Sequence, residues 1–338
     1  MTVSTWAAII AALALSLSIP FIARPLLERL GAIDVPTHRS SHVELTIRGA
    51  GVAPLVGILV GLSIAGLWAS NQGESLRFLT ILFASVMVGA VGLLEDLRGV
   101  SIFIRAGLQF LIGGIASALL IGAAGASWWW IAVGAFFFAA YTNAANFMDG
   151  INSISGLHGG AVGATFAVAG ALDDRPWLVA AGLVMAASFL AFLPWNLGRR
   201  PVFLGDVGSY LLGGYSAIVA IAAAVDGLPI VVVLAPLSIY LADTGVTLAK
   251  RVARGERWHE AHRSHVFQRL IDLGWSHLAV GLLVTVASLA ASAFGLLAMA
   301  GSAAALGAAI SGILGVAVAY LSLPRLLAQG VSRFTRQR

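Results

Sequence analysis

Charge is what this sequence has least of. Asp, Glu, Lys and Arg make up 10% of its 338 residues, against about 25% in an ordinary soluble domain. Cysteine is absent, which excludes disulfides, thiolate metal sites, iron–sulfur clusters and a cysteine nucleophile, and leaves the redox compartment open. Proline is scarce, with 10 residues against 39 glycines. Together with 59% hydrophobic residues and a mean hydropathy of +0.94, these figures exclude a disordered chain, a collagen and an ordinary water-soluble enzyme.

What is present is a series of long apolar runs. A bilayer core of about 30 Å takes roughly 20 apolar residues of helix, and lipid requires every backbone polar group to be satisfied within the segment. The runs predict eleven helices, at 3–23, 50–69, 77–94, 102–122, 127–146, 156–172, 177–195, 209–225, 229–248, 277–299 and 301–322. The first is too long at its polar flank, and lacks the small-residue cleavage site, to read as a removable signal peptide. The glycine-rich stretch 156–163 suggests close helix packing. With no soluble domain, linker or internal repeat, residues 1–338 read as one all-α polytopic membrane domain.

Charge then orients it. Eleven spans place the loops 24–49, 95–101, 147–155, 196–208 and 249–276, with the tail 323–338, on one side. Only Arg77 and Arg175 of the 20 Lys and Arg fall on the other. The positive-inside rule makes the basic side cytoplasmic, with the N-terminus outside and the C-terminus inside. Topology thus accounts for most of the net charge of +5; no nucleic acid is needed as a partner, and anionic membrane lipid adds an attraction. On the outer side, Glu74, Asp173, Asp174 and Asp226 read as solvated turn residues, and Trp128–Trp130 as an aromatic belt.

The inner loops hold the chemistry-bearing residues. Glu95 and Asp96 are adjacent where a helix ends; neighbours on a helix point about 100° apart, so the two need not share a ligand. They also suit a helix-end pairing beside Arg98. Asn143, Asn146 and Asp149, at three-residue spacing, stack on one helical face, either toward a ligand or bonding neighbouring helices. Asp206 stands between Gly205 and Gly208 at a helix start, a setting that suits anions. The 249–276 loop carries His262, Arg263 and His265, a phosphate-facing set or a solvated basic face. Asp243, about seven residues inside its span, is an intramembrane carboxylate, hence a functional candidate unless an inner-side Arg pairs with it. His158 reads as a packed polar residue. Carboxylates and amides suit Mg²⁺, which takes one or two carboxylates plus substrate phosphates. Arginines suit phosphate. Phosphoryl chemistry on a lipid-phase substrate is the class these residues indicate.

The motifs resemble those of the polyprenyl-phosphate N-acetylhexosamine-1-phosphate transferases, in order along nearly the whole chain. RSSHVELTIRGAG (39–51) is similar to that family's RSSH…PTPRGGG, GLLEDLRGVS (92–101) to GxxDDxxxLS, and NAANFMDGINSISG (143–156) to NxxNFMDGIDGLAG. VFLGDVGSYLLGG (202–214) is similar to vFMGDxGSxxLG, and LADT (241–244) with AHRSHVFQRLIDLGWSH (261–277) resembles the branch with an HRxHxYQRL loop. Three departures stand out. Glu95 replaces the first Asp of the DD pair, Asn152 the second Asp of DGxDG, and Ala50 interrupts the GGG while Ile47 replaces a Pro nearby.

The resemblance implies transfer of a sugar 1-phosphate, an N-acetylhexosamine or deoxy derivative, from a UDP-sugar to undecaprenyl phosphate. UMP is released and a lipid-linked envelope glycan begins at the cytoplasmic face of the inner membrane. It implies Mg²⁺, with Mn²⁺ as a substitute, held by Asp206 and Asn146, and places Glu95, Asp96 and Asp206 in catalysis. Phe203 matches the aromatic on uracil, with Asn152 nearby and Asp149 and Asn196 among the substrate contacts. Arg105 matches a basic residue near the phosphates, while His262, Arg263 and His265 match the loop facing sugar and diphosphate. Asp243 has no assigned role, and a homodimer is left open. A single in-line attack is favoured over a phospho-carboxylate on Asp96 or Asp206. Two rivals remain: a secondary transporter of a nucleotide or sugar phosphate, and an inactive polyprenyl-phosphate binder.

Overall fold

The computed structural model describes residues 2–34, 45–69, 74–256 and 263–336. Helices α1 (Val3–Ser18) and α2 (Pro20–Arg29) form one apolar stem, interrupted at Ile19 because Pro20 has no N–H to continue the ladder. There follow α3 (Val52–Ala69), α4 (Ser75–Arg98), α5 (Ile102–Ala123), α6 (Trp129–Met148), α7 (Ile154–Leu172), α8 (Pro176–Leu197) and α9 (Gly205–Val225). Next, α10 (Ile230–Leu234) passes through a 3₁₀ turn containing Pro236 into α11 (Ser238–Ala253). The short α12 (Val266–Asp272) precedes α13 (His277–Leu296) and α14 (Ala303–Arg336).

Among the described residues, ten helical stretches are long and apolar enough to cross a membrane, and α3 supplies a shorter apolar run, Val52–Trp68. Each of the eleven expected spans is therefore helical. The ends differ: α4 runs on to Arg98 and α9 begins at Gly205, so Glu95, Asp96 and Asp206 lie on helical turns. Polar residues extend these helices because protein groups, not lipid, satisfy them.

At the centre stands α9, which touches α3 to α8 and α10. Its apolar window is 89% buried, against 17% for the peripheral α14. Close approach is built from small residues: a Cβ on Gly163 of α7 would sit 2.5 Å from the carbonyl oxygen of Gly182 on α8. Missing side chains let backbones touch, the usual source of helix adhesion without a hydrophobic drive.

The two ends of the bundle differ in kind. At one end a small antiparallel pair, β1 (Ile33–Asp34) and β2 (Thr46–Ile47), is joined by a parallel bridge from Ile47 to Val202. The described residues of the loops expected on the inner side meet here. At the other end, Glu74, Asp173 and Asp226 are not simply solvated, which corrects the expectation from sequence. Arg77 pairs with Glu74 and, at 2.7 Å, with Asp226; Arg175 pairs with Asp173 and with the same Asp226. Trp177 donates its indole N–H to Asp226 at 2.8 Å and lies under the Arg77 guanidinium at 4.5 Å. The two arginines were carried to this side with acids to neutralise them, and the network pins the ends of α4, α8 and α9.

Candidate active site

The site starts from a ribbon made by two remote stretches of chain. Phe203 donates its N–H to Ile47 O at 2.8 Å, and Ala50 and Gly51 donate theirs to Phe203 O and Leu204 O at 3.1 and 2.8 Å. The ribbon ends at Gly205, whose φ is +72°. A Cβ there would lie 2.5 Å from Gly49 N and 2.6 Å from Asp96 Oδ2. Glycine is thus required twice, for its backbone conformation and for the space that Asp96 occupies.

Asp96, in the last turn of α4, is only 3% exposed. Its two carboxylate oxygens accept the N–H groups of Asp206 and Val207, both at 3.0 Å. This carboxylate caps the first turn of α9, where orphan amides and the helix dipole favour a negative charge. The backbones come close because Gly92 of α4 has no side chain to strike the Asp206 carbonyl. Arg48, from the ribbon, donates to the Asp96 carbonyl at 3.0 Å, its guanidinium 3.8 Å from the carboxylate.

Glu95 takes another direction. It pairs with Arg105 of α5 at 2.9 Å, and Arg105 also donates to the Tyr210 hydroxyl at 2.8 Å. Glu95 accepts the Val100 N–H as well. Neither Glu95 nor Arg105 is among the described residues lining the cleft, and the partner is Arg105, not Arg98. The 100° between neighbours sends one carboxylate to α9 and the other to α5.

The α6 polar face divides in the same way. Asn143 bridges to Gln109 of α5 at 2.5 Å, a helix-to-helix bond. Asn146 donates to Asp206 Oδ1 at 2.5 Å and to Ser209 at 3.0 Å. Asp149 follows the helix and accepts the Ser155 hydroxyl at 2.6 Å. Burial pushes its carboxyl up to about 7, with the charge of Asp96 adding and the Ser155 bond opposing. Asn196 accepts the Ser153 N–H at 2.5 Å and donates to Val202 O at 3.0 Å, tying two loops together.

These side chains enclose a cleft of about 250 Å³. Of the residues singled out from sequence, Asp96, Asn146, Asp149, Asn152, Asn196, Phe203 and Asp206 line it. Asp34, Arg48, Gln268 and His277 line it too, and sequence reasoning gave none of these a role. Arg48, Gln268 and His277 lie inside motifs quoted above, and Asp34 in the first inner loop, but none carries a signal of its own there.

The histidine loop is arranged otherwise. His262 lies outside the described residues. Arg263 pairs with Asp272 at 2.9 Å, and His265, 3% exposed, is 3.1 Å from Asp243; neither is among the cleft-lining residues. Asp243 has His265, Tyr320 and the Val266 N–H as partners, where an inner-side Arg was one expectation. His158 is a packed polar residue: buried, 2.9 Å from the Tyr141 hydroxyl, stacked at 3.6 Å on Tyr240.

No group of three His, Cys, Asp or Glu that would hold a metal occurs among the described residues. The cleft instead offers the Asp206 carboxylate beside the Asn146 amide, with Asp149 lining the same space. That oxygen-rich, incomplete set fits a hard cation whose remaining positions are filled by substrate phosphates.

Residues 78–224, which span α4 to most of α9, match the family described as Glycosyl transferase family 4. Over 294 residues the chain is 25% identical to the "Probable undecaprenyl-phosphate N-acetylglucosaminyl 1-phosphate transferase" of Bacillus subtilis, covering 80% of this chain and 79% of that protein. The "Undecaprenyl-phosphate alpha-N-acetylglucosaminyl 1-phosphate transferase" of Yersinia pestis is 29% identical over 300 residues, 81% and 78% of the two chains. The "Decaprenyl-phosphate N-acetylglucosaminephosphotransferase" of Mycobacterium leprae is 28% identical over 303 residues, 77% and 75%.

Proposed function

We propose, for a chain that belongs to the polyprenyl-phosphate N-acetylhexosamine-1-phosphate transferases, that it is the enzyme moving an N-acetylhexosamine 1-phosphate from a UDP-sugar to undecaprenyl phosphate with release of UMP. The observation that carries this reading is the cleft itself. Asp206, Asn146 and Asp149, suited to a phosphate-bound cation, meet Arg48 and an aromatic, Phe203, at the end of the bundle where the basic loops gather. That end is assigned to the cytoplasmic side of the inner membrane, with the N-terminus outside.

The acceptor phosphate has its second pKa near about 6 and is largely dianionic at neutral pH, so a general base has little to contribute. The demand is to bring an anion onto an anionic diphosphate, which positioning and charge neutralisation meet. Mg²⁺, with Mn²⁺ as a substitute, supplies neutralisation when bound, and Asp206 and Asn146 are the residues that would hold it. Arg48, held beside Asp96, adds a fixed positive charge to the cleft. Phe203 offers a face to uracil, with Asn152 beside it. Asp96 orients Asp206 through the backbone at the start of α9. Because both of its oxygens already accept amides, it is badly placed to attack phosphorus, which favours one displacement. A lipid phosphate oxygen bonds to the sugar-bearing phosphorus as the bond to the UMP oxygen breaks.

The test is UMP release from UDP-N-acetylglucosamine by purified protein with undecaprenyl phosphate. Release should stop in chelator, return with Mg²⁺ and fall by orders of magnitude in Asp206→Asn. UDP-sugar uptake without UMP would instead make the protein a transporter, and binding without turnover an inactive carrier binder.

A further inference from the structure

The buried carboxylate of Asp243 takes no part in the chemistry above, yet both of its oxygens are held by several partners. It lies on α11 with no exposed surface. Oδ1 faces His265 Nδ1 at 3.1 Å and accepts the Thr247 hydroxyl at 3.3 Å; Oδ2 accepts the Tyr320 hydroxyl at 2.8 Å. The Val266 N–H reaches both oxygens at 3.1 Å. A buried carboxylate is tolerable only when satisfied in this way. The arrangement ties together three elements: α11, the first residues of α12, and α14.

What α12 does for the cleft gives that tie its meaning. Phe267 is fully buried and lies over Gly150, where an added Cβ would come within 2.8 Å of its ring. The His265 ring lies 5.8 Å from that of Phe267 and 6.3 Å from that of Phe147. Gln268 lines the cleft while its side-chain oxygen accepts the His265 N–H at 3.2 Å. The short helix is therefore a prop beneath the 146–152 turn, which carries Asn146, Asp149 and Asn152.

We propose that Asp243 is a positioning residue that holds α12 against the 146–152 turn and so sets the donor end of the cleft. Through Tyr320, it makes the peripheral helix α14 a working part of the site. That the cleft end receives a nucleotide-sugar donor rests on the transferase reading; the anchoring of α12 does not.

The experiment uses the full-length protein, D243N and Y320F. Amide exchange over 147–152 and 263–273 and the thermal midpoint are read without substrate, and UMP release then gives both KM values and kcat. Exchange in both segments should quicken in D243N and, less so, in Y320F. KM for UDP-N-acetylglucosamine should rise, by about ten- to a hundredfold in D243N, since misplacement near 1 Å carries a cost of that order. Y320F should show a few-fold rise, with KM for undecaprenyl phosphate unmoved in both variants. A lower thermal midpoint with unchanged exchange at 147–152 and unchanged donor KM would make Asp243 merely structural and overturn the proposal. Should D243N not fold, Y320F decides alone, and wild-type exchange and donor KM in that variant would overturn it. Absence of UMP release by the wild type would defeat the transferase reading, while the exchange comparison would still decide the anchoring.

Discussion

Replacing Asp96 with Asn separates two carboxylates that are neighbours in sequence and strangers in the fold. Asp96 accepts two backbone amides at 3.0 Å each. Hydrogen bonds to a charged group are worth about 1.5–3 kcal/mol apiece. Asn keeps one acceptor and turns an NH₂ toward the other amide, so one such bond is lost and a donor faces a donor. The joint between α4 and α9 should lose about 2–5 kcal/mol. That strain falls on Asp206, the residue whose own N–H is capped, and a shift of about 1 Å in an adapted site costs around a hundredfold in rate. UMP release by Asp96→Asn should therefore fall at least about a hundredfold while the protein still inserts. Glu95→Gln removes the charge from a pair with Arg105, 18% and 21% exposed, but keeps an oxygen that can accept from Arg105 and the Val100 N–H, so the loss should be about 1–2 kcal/mol. Activity should stay within about tenfold. Glu95→Asp, which withdraws the carboxylate by about 1.5 Å, belongs in the same range. An Asp96→Asn enzyme within a few-fold of wild type would refute the capping argument, and a dead Glu95→Gln would return Glu95 to the chemistry.

Asp149 sets a pH dependence. Its folded value, about 7, lies above the ordinary carboxyl range near ~4. The stability it contributes is complete below the unfolded value and is lost as pH rises through about 7. The thermal midpoint of ligand-free protein should decline from pH 5 to 8, and Asp149→Asn should flatten that slope; an unaltered slope would remove Asp149 as its source. At the opposite end, Asp226→Ala strips the shared partner from Arg77, Arg175 and Trp177. It should cost about 2 kcal/mol or more, read as a lower thermal midpoint at unchanged donor KM. Reporters fused after Asp174 and after Arg338 should report opposite compartments; the same compartment for both would invert the assigned topology.

The spans were legible because run length against bilayer thickness is a one-dimensional property, and charge sorted the loops for a similar reason. The divergence of Glu95 from Asp96 was legible as well, since it needs only the helical angle. Partners were not. That Asp243 would meet a histidine and a tyrosine from α14 depends on a crossing no spacing encodes, and α12 is hidden in a loop whose basic residues mask its short apolar face. Asp173 and Asp226 looked like turn residues because each, alone, is one. Asp34 and His277 enter the cleft from opposite parts of the chain, and only the tertiary fold brings them together.

That ribbon has a bearing on how the protein is made. Ile47 leaves the ribosome long before Val202 and Phe203, its partners across the cleft wall. Until α9 has entered the membrane, Asp96 has no amides to cap. A nascent or truncated chain thus presents the carrier lipid with scattered arginines and no cleft. The complete cleft therefore forms late in synthesis, after most of the helices are already in place.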